Sequence, residues 1–236
     1  MQLSSIPEGG LCVVVGASGG IGGAVADLAE RSGRFAEVIR LSRRSGPPLD
    51  LLDESSIEAG AATISARNHP VRLIFNATGF LHGDGIEPEK ALSRLTLEAL
   101  QRNFAVNAIG PALLMKHFLP LLPREGRSVF ASVTAKVGSI SDNRLGGWYS
   151  YRAAKAAHNQ LLRTAAIETA RRRPEAILVA LHPGTVASPL SAPFAKSGLN
   201  VMEPARSAKM MLSVIGDLTP EDSGTFRSYD GEALPW

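Results

Sequence analysis

The sequence has few of the residues that would point to a disulfide scaffold, a metal site or a nucleic-acid-binding surface. Cys12 is the only cysteine among 236 residues, so no intrachain disulfide can form. A reducing, cytoplasmic location is therefore expected. The five histidines show no metal-ligand spacing, and no metal site is expected. A net charge of +3 is too small to favour nucleic acid as a partner.

Long apolar runs are also missing. No uninterrupted run approaches the roughly 20 residues needed to span a bilayer, and residues 1–10 lack the basic and apolar blocks of a signal peptide. No membrane partner is expected. Hydrophobic residues make up 44% of the chain and charged residues 20%, which is ordinary for a soluble globular protein. The length predicts one domain, residues 1–236.

Short apolar runs alternate with helical patterns, which predicts an α/β fold. The predicted strands cover residues 11–15, 36–41, 49–51, 71–75, 128–133, 177–181 and 224–229. The longest helical pattern covers residues 96–119. Its apolar side chains fall at helical spacing and predict a single buried stripe. The stripe consists of Leu97, Leu100, Phe104, Pro111, Leu114 and Phe118.

Two strands end in sequences suited to ligand binding. The first runs into Gly16-Ala17-Ser18-Gly19-Gly20-Ile21-Gly22, followed by a helical pattern. Glycines let the backbone approach a phosphate, and a helix N-terminus supplies free N–H groups, so this turn predicts phosphate binding. A turn without a ligand is the alternative. The strand 71–75 ends in Asn76-Ala77-Thr78-Gly79, at the sheet edge where ligands of open α/β sheets bind.

Tyr151 and Lys155 are four residues apart, so they share one face of a predicted helix. An ammonium group near a phenol is expected to lower the tyrosine pKa from about 10. Such a phenol can exchange a proton with a carbonyl or alcohol oxygen. The alternative is a solvated helix face.

Asn107 interrupts the apolar stripe and needs a polar partner. Pro111 has no N–H, so the main-chain carbonyl of Asn107 is predicted to lose its helical donor and to be free to hold a water. A tolerated proline kink is the alternative.

Together these motifs resemble the short-chain dehydrogenase/reductase family over essentially the whole length. The matches are Gly16-x-x-x-Gly20-Ile21-Gly22, Asn76-Ala77-x-Gly79, Asn107, Tyr151-x-x-x-Lys155 and Pro183-Gly184. Residues 138–149 and the Pro235-Trp236 end look like the branch that contains the C-factor and sniffer-type carbonyl reductases. The resemblance implies a single Rossmann-type doubly wound domain, with a parallel sheet of about seven strands and helices on both faces.

The resemblance also implies a reaction, the transfer of hydride between a nicotinamide cofactor and a carbonyl or alcohol. Tyr151 would be the general acid/base. Lys155 would lower its pKa and hold the nicotinamide ribose, and Asn107 would hold a water that passes protons to Lys155. The family has Ser-Ser where this chain has Val133-Thr134, so Thr134 is expected to polarise the substrate carbonyl. Ser132 and Ser139 remain alternatives. Val15 is a second departure, because the family has threonine there.

The expected cofactor is NADP(H) in preference to NAD(H). In this fold an acidic residue about 20 positions after the glycine motif binds the ribose hydroxyl and repels a 2′-phosphate. Here the second strand ends in Leu41-Ser42-Arg43-Arg44, without an acid. Arg43 can pair with phosphate oxygens, although both arginines can also be simply solvated. The expected cofactor-binding residues are Gly16, Ser18, Gly20, Ile21, Ser42, Arg43, Asp50, Asn76, Ala77, Gly79, Tyr151, Lys155, Pro183, Gly184 and Val186.

The expected partners are a small-molecule substrate and further copies of this chain, as a homodimer or homotetramer formed through the long helices. The loops at residues 79–87, 139–148 and 188–200 are expected to determine the substrate. A second class of function stays open. Some members of the C-factor branch are discussed as intercellular signals, so the chain can also be a cofactor-binding signalling or interaction protein with little turnover.

Overall fold

The computed structural model describes residues 3–188 and 201–236, and its centre is a parallel sheet. The sheet strands are β1 (Leu11–Val15), β2 (Glu37–Leu41), β3 (Val71–Asn76), β4 (Ser128–Val133), β5 (Ala176–His182) and β8 (Thr225–Ser228). Their order is β2-β1-β3-β4-β5-β8, and every neighbouring pair is parallel. β6 (Thr185–Val186) and β7 (Val201–Met202) form a separate two-stranded sheet.

Helices cover both faces of the large sheet. They are α1 (Gly20–Arg31), α2 (Glu54–Ser65), α3 (Leu97–Phe104), α4 (Gly110–Phe118), α5 (Tyr149–Ala170) and α6 (Pro204–Asp217). Alternate residues of β1 explain the two layers. Val13 and Val15 belong to the core that contains side chains of α2, α4 and α5. Cys12 and Val14 belong to the core that contains side chains of α1 and α6. The doubly wound architecture is therefore confirmed.

The predicted strand at residues 49–51 does not form. Leu49 and Leu51 are buried, but their segment is an irregular connection between β2 and α2. In this connection the backbone of Asp50 forms two hydrogen bonds with the side chain of Ser56. Its N–H donates to Ser56 Oγ (2.9 Å), and its carbonyl accepts from the same hydroxyl (2.9 Å). Two buried leucines in a loop have the same alternation as a half-buried strand, which is why the sequence pattern was misleading. The large sheet consequently has six strands in the part of the chain that the structure describes.

The predicted helix 96–119 forms, but it contains a π-helical turn at Ala105–Ile109 between α3 and α4. The predicted apolar stripe holds only in the second half, where Leu114 and Phe118 are fully buried. In the first half Leu97 is 70% exposed, and the buried side chains are those of Ala99, Asn103 and Asn107. The inner face of α3 therefore carries a small residue and asparagine, while Leu97 is exposed and Leu100 and Phe104 are only half-buried.

The same helical run, Leu97–Leu121, is long and apolar enough by length and composition to cross a membrane. Its packing is that of a core helix. Leu114, Met115 and Phe118 lie in the apolar core beside β1, β3 and the helix α2.

Candidate active site

The residues singled out by the sequence follow the carboxyl ends of four central strands. Gly16 follows β1, Ala77 follows β3, Thr134 follows β4 and Pro183 follows β5. Since these strands are parallel neighbours, their carboxyl ends lie along one edge of the sheet, which is where open α/β sheets bind ligands.

The turn between β1 and α1 accepts only glycine at two positions. Gly16 has a φ of +83°, and a Cβ there would lie 3.1 Å from the carbonyl of Ala77. A Cβ on Gly22 would lie 2.3 Å from the carbonyl oxygen of Gly16. Helix α1 starts at Gly20 with no side-chain cap and no acidic residue in its first turn. Its N-terminal amides and positive dipole therefore suit a phosphate group, next to the exposed Ser18.

Asn76 holds the neighbouring turn in shape. Its Oδ1 accepts bonds from the amide (3.2 Å) and the hydroxyl (2.7 Å) of Thr78, and its Nδ2 donates to Ser132 Oγ (2.9 Å). The amide of Ala77 donates to the carbonyl of Val15 at 2.8 Å, which ties this turn to β1. Because the Asn76 side chain is fully buried and bonds both Thr78 and Ser132, it fixes this turn relative to β4.

Tyr151 and Lys155 lie together in the first and second turns of α5. The Lys155 Nζ is 5.7 Å from the centre of the Tyr151 ring and donates to the carbonyl of Val133 (3.3 Å). Burial lowers the pKa of Lys155 to about 8. Burial also raises the pKa of Tyr151 above its ordinary value, so the expected lowering by Lys155 is wrong for this buried pair. At neutral pH the phenol keeps its proton and the lysine is mainly cationic.

Asn107 lies in the π-helical turn and has the polar partners it needs. Its side chain forms two bonds with the backbone of Phe80. Nδ2 donates to the carbonyl (2.7 Å), and Oδ1 accepts from the amide (3.0 Å). A Cβ on Gly79 would be 3.6 Å from both Asn107 Oδ1 and Lys155 Nζ, so Gly79, Asn107 and Lys155 meet at one place. The sequence predicted all three as site residues, but it did not predict the hydrogen bonds between Asn107 and the Phe80 backbone.

The three candidate hydroxyl groups differ in their partners. Ser132 Oγ is 3.0 Å from His158 Nε2 and also accepts from Asn76. Ser139 Oγ accepts from the amide of Asp142 (3.1 Å) in a turn. Thr134 Oγ1 is buried and has no hydrogen-bond partner within residues 3–188 and 201–236. Of the three, Thr134 is the one whose hydroxyl forms no hydrogen bond with the described part of the protein.

His158 and Asn103 are two buried polar residues of this region that sequence reasoning missed. His158 lies on α5 and is buried in the protein. Burial and the charge of Lys155 lower its pKa to about 3, so the imidazole is neutral at pH 7. The signal for both was present, since each is a polar residue one helical turn from a predicted site residue: His158 from Lys155, and Asn103 from Asn107.

The region after β2 is more open. Arg43 and Arg44 are exposed in the turn after β2, where Ser42 Oγ accepts from the amide of Arg44 (3.1 Å). Asp50 is partly buried in the next loop, and its Oδ1 accepts from the amide of Leu52 (3.0 Å). The two arginines are therefore positioned at the sheet edge without an acid beside them on β2.

The segment after β5 lies at the same edge of the sheet and packs against β7 and α6. Gly184 has a φ of +77°, and a Cβ there would lie 2.3 Å from Met202 Cε. The carbonyl of Pro183 accepts from Ser207 Oγ (2.7 Å), and Val186 is buried in β6. Most of the predicted substrate loop 188–200 lies outside the described residues.

The fold and the glycine turn at this edge of the sheet are typical of a dinucleotide-binding α/β domain. A family model described as enoyl-(acyl carrier protein) reductase matches residues 16–224. The chain belongs to the short-chain dehydrogenase/reductase family, as its motifs predicted.

Known relatives and solved structures resemble most of the chain. It is 33% identical over 190 residues to 1-hydroxy-2-glutathionyl-2-methyl-3-butene dehydrogenase of Rhodococcus sp. (strain AD45), covering 80% of this chain and 79% of that protein. It is 36% identical over 147 residues to the C-signal protein of Myxococcus xanthus, covering 62% of this chain and 84% of that one. The NADPH-bound carbonyl reductase from chicken fatty liver superposes with a TM-score of 0.83 at 27% identity, covering 98% of this chain and all of the other.

Proposed function

We propose that this protein transfers hydride between NADP(H) and a small-molecule carbonyl or alcohol, with Tyr151 as the general acid/base. The observation that carries the proposal is the pairing of Tyr151 with Lys155, both buried, beside the carboxyl end of β4. The residues fit a dinucleotide, because the cradle at Gly16 and Gly22 excludes any Cβ and the first turn of α1 is uncapped. Bound cofactor supplies the hydride, and the protein supplies position and proton transfer.

The proton chemistry follows from the two pKa values. In the reductive direction the phenol of Tyr151 gives its proton to the oxygen of the substrate. Its raised pKa keeps that proton in place at neutral pH. Lys155 is mainly cationic below about pH 8, so its charge stabilises the phenolate left behind.

The hydroxyl of Thr134 completes the set by donating to the same substrate oxygen. A buried hydroxyl without a partner costs about 1–3 kcal/mol, and a substrate oxygen would remove this cost. Asn107 fixes the backbone at Phe80 through its side chain, and its main-chain carbonyl is proposed to hold the water that passes protons to Lys155.

NADP(H) is proposed in preference to NAD(H). No acidic residue follows β2 where a 2′-phosphate would lie, and exposed Arg43 and Arg44 occupy that turn. A similar fold in the chicken carbonyl reductase binds NADPH, which supports the same choice here. Arg43 is the main residue proposed to pair with the phosphate, with Arg44 a weaker helper.

The test is oxidation of NADPH with a panel of aldehydes, ketones and quinones, using wild type, Tyr151→Phe and Tyr149→Phe. Tyr149 is on the same helix but 37% exposed, so it is a matched control. We expect Tyr151→Phe to bind cofactor normally and to lose about 10²-fold or more in kcat, and Tyr149→Phe to behave as wild type. Near-normal kcat in Tyr151→Phe would refute the assignment. Tight cofactor binding without turnover on any substrate would favour the signalling alternative.

A homodimer or homotetramer formed through the outer face of the long helices is also proposed. Leu97 (70% exposed), Ile109 (53%) and Ile167 (53%) are large apolar side chains on the outer surface of the α3–α4 run and α5. Light scattering coupled to gel filtration is the test. We expect a dimer or tetramer in the wild type and a smaller species in Ile109→Lys, and a monomeric wild type would contradict the proposal.

A further inference from the structure

Helix α5, which carries Tyr151 and Lys155, starts without a cap of its own. Trp148 occupies the N-cap position in a left-handed conformation (φ +52°), makes no side-chain cap and is followed by no acidic residue in the first turn. Helices lose stability when their first N–H groups have no acceptor. The acceptor here comes from far away in the sequence.

Glu89 supplies that acceptor, 61 residues before Ser150. Its Oε2 accepts from the Ser150 amide (3.3 Å), and its main-chain carbonyl accepts from the amide of Trp148. The Glu89 residue is only 3% exposed. A side-chain oxygen that accepts from an amide in the first turn caps a helix. The start of the catalytic helix is therefore fixed by the loop that follows β3.

Asn103 connects this helix start to Asn107. The Asn103 side chain is 1% exposed, and its Nδ2 donates to Ser150 Oγ (2.9 Å) and to the carbonyl of Ala99 (3.1 Å). Its Oδ1 accepts from Asn107 Nδ2 (3.1 Å). Both of its N–H bonds and its carbonyl oxygen are thus used inside the protein.

Asn107 extends the chain of bonds to Phe80, through the two contacts with the Phe80 backbone described above. Every donor of the two asparagine amides therefore has an acceptor. Exchanging nitrogen and oxygen in either amide would place donors against donors, so the network fixes both orientations. One line of bonds runs from Glu89 through Ser150, Asn103 and Asn107 to Phe80.

We propose that Asn103 is a positioning residue of the active site, which sets Asn107 and the Phe80–Gly79 turn relative to Tyr151. This inference rests on the proposed function, because it assumes that Tyr151 and Asn107 act in hydride transfer. Asn103 bonds Asn107 on one side and the residue before Tyr151 on the other. A displacement of about 1 Å between reacting groups can cost about 10²-fold in rate, so a residue at this junction affects catalysis without touching the substrate.

The test compares Asn103→Leu and Ser150→Ala with Leu114→Ala. Leucine has the same number and branching of side-chain heavy atoms as asparagine but forms none of its hydrogen bonds. Leu114 is a fully buried core residue of the same helical run, outside the polar network, so Leu114→Ala controls for loss of stability alone. All variants are assayed with NADPH and one active carbonyl substrate, and rates are normalised to the folded fraction at the assay temperature.

We expect kcat to fall about 10- to 100-fold in Asn103→Leu and in the same direction, but less, in Ser150→Ala. The Kd for NADPH should change less than threefold in both. Leu114→Ala should keep its kcat per folded molecule. The double variant Asn103→Leu/Ser150→Ala should be no slower than Asn103→Leu, because residues that act as a unit are not additive.

Two outcomes would overturn the inference: an unchanged kcat per folded molecule in Asn103→Leu, or multiplicative effects in the double variant. If Asn103→Leu does not fold, Ser150→Ala decides, and a normal kcat in that variant refutes the proposal. The Tyr151→Phe variant distinguishes failure of the proposed function from failure of the positioning role alone. If it keeps its activity, the proposed function fails. If it is inactive while Asn103→Leu is normal, only the positioning role fails.

Discussion

Replacing Lys155 by methionine is expected to make the protein more stable while it removes activity. Lys155 is fully inside the protein, and burial lowers its pKa from the ordinary 10.5 to about 8. The difference of about 2.5 pKa units is worth about 3 kcal/mol, since each unit corresponds to about 1.4 kcal/mol. This is the cost of keeping an ammonium group in the folded protein at neutral pH. Methionine has a similar length and carries no charge.

A lost hydrogen bond offsets part of the stability that Lys155→Met gains by removing the buried ammonium group. The Lys155 ammonium donates to the carbonyl of Val133 at 3.3 Å, and losing such a bond costs about 1 kcal/mol. We therefore expect Lys155→Met to raise the free energy of unfolding by about 2 kcal/mol at pH 7. Urea denaturation measures it, with Lys90→Met as the control because Lys90 is exposed.

The pH dependence gives the sharper test. Below about pH 8 both the folded and the unfolded wild type hold the lysine proton, so the full cost of burial is present. Between pH 8 and 10.5 the unfolded state binds more protons, so wild-type stability rises with pH relative to the variant. The difference in unfolding free energy between Lys155→Met and wild type should narrow by about 2 kcal/mol between pH 7 and pH 9.5. A variant no more stable than wild type at pH 7, with a gap independent of pH, would refute the reasoning.

Three further predictions concern catalysis. Thr134→Val should cost about 2–4 kcal/mol in kcat/KM and Thr134→Ser much less, whereas a crippling effect of Ser132→Ala would contradict the choice of hydroxyl. Arg43→Ala should weaken NADPH binding about ten- to a hundred-fold, with the Kd for NADH nearly unchanged. Equal wild-type affinity for the two cofactors would remove that argument. Carbonyl reduction should slow as the pH rises through about 8, because Lys155 then loses its proton. A rate that stays constant to pH 9.5 would show that the charge of Lys155 is not needed.

The sequence predicted the centre of the sheet well because β1, β4 and β5 are mainly apolar runs that are buried on both faces. β4 was predicted with its exact ends, and β1 likewise. The strand predicted at residues 49–51 was wrong, because burial alone does not distinguish a strand from a loop packed on the core. The small pair β6 and β7 was missed, since two-residue strands carry no periodicity.

The site residues could be predicted from motifs, but their partners could not. The bond between Ser132 and His158 joins residues 26 positions apart, and the bond between Asn103 and Ser150 spans 47. Only folding brings such residues together. The direction of the Tyr151 pKa was wrong for the same reason, because the spacing of Tyr151 and Lys155 shows a neighbouring charge but not the depth of burial.

The π-helical turn at Ala105–Ile109 sets how the helical segments on its two sides are oriented relative to each other. The Gly110 amide donates to the carbonyl of Ala105, five residues back, so this turn contains one residue more than an α-helical turn. Each residue of an α-helix rotates the chain by about 100°. A regular α-helix of the same number of residues would rotate one flank by about 100° and turn Asn103 away from Ser150, or Leu114 away from the core. The widened turn is therefore what allows both contacts to form in a chain of this length.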